Sequence, residues 1–82
     1  AKQIETLCYD IAVELGLELE PVYWSLEFVK PPESERHILD VEAKNGITTE
    51  IRFSRAEIEV CTTSPGKEIT EKKIRMELEG LL

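Results

Sequence analysis

His37 is the only imidazole in the chain, and Glu33, Glu35 and Asp40 stand near it in sequence. A general base or metal ligand needs a second well-placed group, such as another histidine or a nucleophilic thiol. Cys8 and Cys61 are distant from it and from each other, and neither belongs to a C-x-x-C pair. His37 therefore reads as an edge-strand residue at the rim of a sheet. Paired carboxylates for hydrolysis, a phosphate-cradling Gly-rich loop and a Ser/His/Asp set do not emerge from the spacing. The expectation is a non-catalytic domain with no cofactor and no metal.

Two other sets of residues could bind a partner. The first is "SPGKEITEKKIRM", residues 64–76, the most basic stretch of the chain. A turn at Ser64-Pro65-Gly66, followed by a helix capped by Thr70, would place Lys72 and Lys73 at a helix start. Free N–H groups there, with Lys67, Lys72, Lys73 and Arg75, could hold phosphates. Glu68, Glu71, Glu77 and Glu79 interleave these bases, so residues 64–82 carry four basic and four acidic groups. The second set lies on strands, and its geometry depends on the elements that carry it.

Ile4, Leu7, Cys8, Ile11, Ala12 and Leu15 form one apolar stripe at helical spacing. The spacing predicts a helix over 2–15, with Gly16 as a left-handed cap and Leu17 folding back. Its acids, Glu5, Asp10, Glu14 and Glu18, read as a solvated face. Val22, Trp24, Leu26 and Phe28 then alternate with Tyr23, Ser25, Glu27 and Val29 in a first strand, where Trp24 reads as packing. Pro31-Pro32 ends it and opens a polar loop. Leu39, Val41 and Ala43 define a second strand, and Ile47, Thr49, Ile51 and Phe53 a third.

A two-residue Asn45-Gly46 turn would pair Val41 with Glu50 and Leu39 with Arg52, placing charges in the core. A three-residue loop, Lys44-Asn45-Gly46 with Gly46 left-handed, pairs Ala43 with Ile47, Val41 with Thr49 and Leu39 with Ile51. The three-residue loop is preferred. After it, Ser54 and Glu57 make a capping box and Phe53 and Ile58 a staple. Alternation of Ile58, Val60 and Thr62 suggests a fourth strand instead; a short helix over 55–61 is favoured. A last helix carries Ile74, Leu78 and Leu81 inward, with Ile69 stapled to Ile74. The fold class is α+β: a three-stranded antiparallel sheet with N- and C-terminal helices on one face, in the order α-β-β-β-(short α)-α, as a single domain over 1–82.

That register exposes the second set. Glu27, Asp40, Glu42 and Glu50 point away from the helices, with Tyr23, Val29, Ile38 and Arg52 among them. Asp40 falls directly opposite Glu50, and like charges so placed are mildly destabilising. Either Arg52 and Lys44 neutralise the pair as diagonal neighbours, or a basic partner does. Tyr23, Val29 and Ile38 among carboxylates give the mixed character of a protein-binding patch.

Eighty-two residues at 41% hydrophobic suffice for one folded domain, and the net charge of −7 repels polyanions at long range. Two cysteines could form a disulfide, but buried thiols in a reducing compartment are preferred. No leader and no apolar run near 18 residues is read, so a cytoplasmic protein with no membrane association is expected.

The element order resembles that of double-stranded RNA-binding domains, whose Lys-rich helix start grips phosphate as "GKEITEKKIRM" would. Arg75 and Met76 stand where that family carries a small residue and a further lysine. "LGLEL" (15–19), "EFVK" (27–30) and "NGIT" (45–48) are similar to the N-terminal domain of bacterial ribosome maturation factors, which run the first two pieces together. The leading expectation is a small acidic protein-interaction or adaptor domain that binds through the open sheet face or an unpaired edge strand, with a basic protein or a second copy of itself as partner. Binding of RNA or the ribosome through the C-terminal helix is the alternative.

Overall fold

The computed structural model describes residues 2–27 and 36–82. In chain order these form helix α1 (Lys2–Glu14), strands β1 (Tyr23–Glu27), β2 (Arg36–Glu42) and β3 (Thr48–Ser54), short helix α2 (Arg55–Val60) and helix α3 (Ser64–Glu79). The strands make one antiparallel sheet in the order β1-β2-β3, and the architecture is the expected α+β arrangement. Phe28, Val29, Pro31, Pro32, Glu33 and Glu35 lie outside the described residues.

The stripe on α1 is buried as its spacing dictates, through Ile4, Cys8, Ile11 and Ala12. Gly16 ends the helix at φ 73°. The Leu17 N–H then donates to the Ala12 carbonyl at 2.8 Å and the Gly16 N–H to Val13 at 3.1 Å, which satisfies two carbonyls of the last turn. Leu17 packs against the core, and Leu19 pairs with Ala43 beside β2. Between Leu19 and Tyr23 the chain has three residues, Glu20, Pro21 and Val22, where the facing strand between Ala43 and Asp40 has two. The extra residue is a bulge.

The β2–β3 connection is the three-residue loop. Ala43 N–H donates to the Ile47 carbonyl, Gly46 N–H to the Ala43 carbonyl, and Gly46 has φ 90°. Leu39 faces Ile51 and Val41 faces Thr49. The inner face of the sheet supplies Leu39, Val41, Ala43, Ile51 and Phe53 to a core completed by α1, Cys61 and the α3 residues Ile74, Leu78 and Leu81. Full burial of a side chain such as Leu78 contributes about 2 kcal/mol. Cys8 and Cys61 are both free thiols buried in this core.

The segment after β3 is helical because Ser54 Oγ accepts from Glu57 N–H at 3.2 Å while Ser54 N–H donates to the Glu57 carboxylate at 2.9 Å. Burial raises the Glu57 pKa, but these Ser54 bonds and the Lys73 ammonium outweigh it and hold it below its ordinary value. Helix α3 begins earlier than expected. Its cap is Thr63, whose Oγ1 accepts from Gly66 N–H at 3.2 Å, and Ser64-Pro65-Gly66 is its first turn. Pro65 is tolerated there because the N–H it lacks has no partner within the helix. Thr70 is therefore no cap: it is buried inside the helix and its hydroxyl donates to the Gly66 carbonyl at 2.9 Å. Ile69, expected to staple the start, is 63% exposed. No helix among the described residues is long and apolar enough to cross a membrane.

Candidate functional site

The outer face of the sheet carries no helix. Tyr23, Ser25 and Glu27 of β1 point there, with Arg36, Ile38, Asp40 and Glu42 of β2 and Thr48, Glu50 and Arg52 of β3. Asp40 stands between Tyr23 on one side and Glu50 on the other. Glu42 faces Thr48 one step along. Pro21, Tyr23, Asp40, Glu42, Thr48 and Glu50 line a groove of about 470 Å³.

The charges on this face are relieved unevenly. Arg52 is paired with Glu50 at 3.4 Å and with Glu27 at 3.8 Å. Asp40 accepts a hydrogen bond from the Ser25 hydroxyl at 2.9 Å. Lys44, expected to help neutralise the Asp40–Glu50 pair, instead reaches Glu20 at 3.6 Å. Glu42 has no cationic partner among the described residues. Arg52 thus laces Glu27 and Glu50 together, while beside Tyr23 the carboxylates of Asp40 and Glu42 have no cationic partner among the described residues.

Arg52 also corrects the expected apolar patch. Ile38 lies on the outer face, as its alternation requires, but only 6% of its surface is exposed. To reach Glu27 on β1 from β3, the Arg52 side chain must cross β2 at Ile38, its direct neighbour. The hydrocarbon stem of an arginine covers apolar surface in this way. Tyr23, 66% exposed, remains the large apolar group of the site.

The basic stretch is not a helix start. Lys72 and Lys73 sit two turns inside α3. The Lys73 ammonium contacts both Glu57 oxygens at 3.0 and 3.2 Å and stands 5.0 Å from the Phe53 ring centre. Arg75 donates to Glu14 of α1, and this hydrogen bond raises its pKa further. Lys67 and Lys72 are exposed. Of the four basic residues considered for phosphate, two hold the fold together.

His37 lies on the central strand, not an edge, between Leu26 and Phe53 on the inner face. Asp40 is three residues on and faces the other way, so the two do not form a pair. No group of three or more His, Cys, Asp or Glu among the described residues is placed to hold a metal ion. A cleft of about 480 Å³ opens between the N-terminal halves of α1 and α3, lined in part by Ile4, Leu7, Cys61, Lys67 and Thr70. Nothing in the sequence periodicity signals it, because it depends on how two helices sit side by side.

Comparison with protein-family models, curated proteins and solved structures finds no match for this chain. The resemblances to double-stranded RNA-binding domains and to ribosome maturation factors rest on element order and short strings alone.

Proposed function

We propose that this chain is a non-catalytic protein-interaction module that binds a basic segment of a partner on the outer sheet face. The observation that carries this reading is the asymmetry of the face. Asp40, Glu42 and Glu50 line a groove beside exposed Tyr23, and Arg52, shared between Glu50 and Glu27, leaves Asp40 and Glu42 without a basic partner among the described residues. A lysine or arginine entering there meets three carboxylates and an aromatic face, a combination that favours a cation through charge and through the ring quadrupole. The net charge of −7 steers a basic partner in and an anionic one away.

RNA binding through α3 has less support, since Lys73 and Arg75 are engaged with Glu57 and Glu14. The test is a titration with an arginine-rich peptide at low salt, followed by amide shifts, with structured RNA in parallel. The peptide is expected to shift Tyr23, Asp40, Glu42 and Glu50, and Glu42→Lys/Glu50→Lys is expected to weaken binding at least tenfold. Shifts confined to Lys67 and Lys72 with RNA, and none with peptide, would replace this reading with the nucleic-acid one.

A further inference from the structure

The outer edge of β1 is a strand edge with a defined hydrogen-bonding register. Ala43 N–H donates to the Ile47 carbonyl, so His37, Leu39 and Val41, which share its parity, turn their main-chain groups toward β3. Arg36, Ile38, Asp40 and Glu42 then turn theirs toward β1, and the Glu20 N–H bond to the Glu42 carbonyl agrees. Tyr23, Ser25 and Glu27 face those residues and pair with them. Trp24 and Leu26 are left with N–H and C=O groups pointing outward. Among the described residues no main-chain bond reaches them there. Just before them the pattern closes, because Val22 N–H donates to the Tyr9 hydroxyl at 2.9 Å.

We propose that two copies of the chain join at this edge, β1 against β1 in antiparallel sense about a twofold axis at Ser25, giving one continuous six-stranded sheet. The free groups select the register. Trp24 exchanges both of its main-chain bonds with Leu26 of the other copy, and Leu26 with the other Trp24. Centring on Trp24 instead would require the Val22 N–H that Tyr9 already holds. The side chains agree with the Ser25-centred pairing. On the inner face Leu26, 47% exposed, meets the half-buried Trp24 of its mate. On the outer face Glu27 meets Tyr23, so the two Glu27 carboxylates are kept apart. The edge of β3 is less suited: Glu50 and Arg52 stand along it, and the Ser54 N–H is held by Glu57.

The inference does not rest on the basic-partner reading, since the outward main-chain groups of Trp24 and Leu26 carry it, although Tyr23 borders both surfaces. Sedimentation over a wide concentration range should show reversible dimerisation, lost in Leu26→Lys, with circular dichroism confirming that the variant is folded. Ser25 and its mate form a non-hydrogen-bonded pair with Cα atoms ~4.5 Å apart, within the range a disulfide spans. Ser25→Cys with oxidised glutathione should therefore give a covalent dimer. Tyr23→Cys should not, because its mate lies roughly 13 Å away along the strands. A protein that stays monomeric at the highest concentration overturns the proposal. So does a dimer that survives Leu26→Lys and fails to cross-link through Ser25→Cys. Loss of peptide binding in Glu42→Lys/Glu50→Lys with dimerisation intact separates the two surfaces.

Discussion

At the scale of single residues, the buried groups are more informative than the exposed ones. Burial pushes the Cys8 thiol up to about 11 from its ordinary 9.0. The unfolded chain therefore releases this proton first as pH rises. Stability from keeping Cys8 protonated is fully present below pH 9 and is lost between about 9 and 11, on the order of 2–3 kcal/mol. Denaturation midpoints followed from pH 8 to 11 should fall in that window, and Cys8→Ala should remove much of the slope, though at a cost in packing. Lys73, half-buried, acts through its contacts instead. Its ammonium lies against the Phe53 ring and on Glu57, the residue that closes the α2 capping box, so one side chain ties α3 to β3 and α2. The spacing of residues 64–76 displays a basic cluster; it cannot display that half of the cluster has partners elsewhere in the fold.

At the scale of elements, Gly66 shows why α3 starts where it does. A Cβ added at this position would lie 1.9 Å from the Val60 carbonyl oxygen and 2.7 Å from Thr63 Oγ1. The glycine is there for close approach of α2 and α3, not for a turn between them. Gly→Ala ordinarily favours a helix by about 1 kcal/mol. Here Gly66→Ala should instead destabilise by roughly 1–3 kcal/mol through overpacking, read as a lower urea midpoint. Much of this organisation was legible in the sequence. Charge on the core face excludes the two-residue Asn45-Gly46 turn, and the Ser54–Glu57 capping box outweighs the alternation of Ile58, Val60 and Thr62. What was not legible has physical causes. Thr63 and Thr70 are both capable caps, and only the packing of Gly66 on Val60 decides between them. Alternation reports the face Ile38 occupies, not that Arg52 lies across it. Local pattern also says nothing of strand order, so His37 reads as an edge residue when its strand is central.

At the scale of the whole molecule, the balance of charge is the dominant feature. Seventeen acids against ten bases leave a self-repelling surface, and the ion pairs that relieve it are exposed or half-exposed. Screening should therefore help more than it hurts. Thermal midpoints are expected to rise by a few degrees between low salt and about 0.15 M, whereas affinity for a basic peptide should fall over the same range. A midpoint that drops with salt would mean that the ion pairs matter more than the repulsion. The polarity of β1 depends on the bulge at residues 20–22, where its backbone gains one residue on β2. That single residue acts as a reading frame for the strand. Were the same residues paired regularly with no bulge, Leu19 opposite Ala43 would be followed by Tyr23 opposite Leu39, and Tyr23, Ser25 and Glu27 would be translated onto the core face. Trp24 and Leu26 would be turned to solvent. The carboxylate groove, the outward main-chain groups of Trp24 and Leu26 and the seat of Trp24 on Phe53 are all written in the frame that Pro21 and its neighbours set.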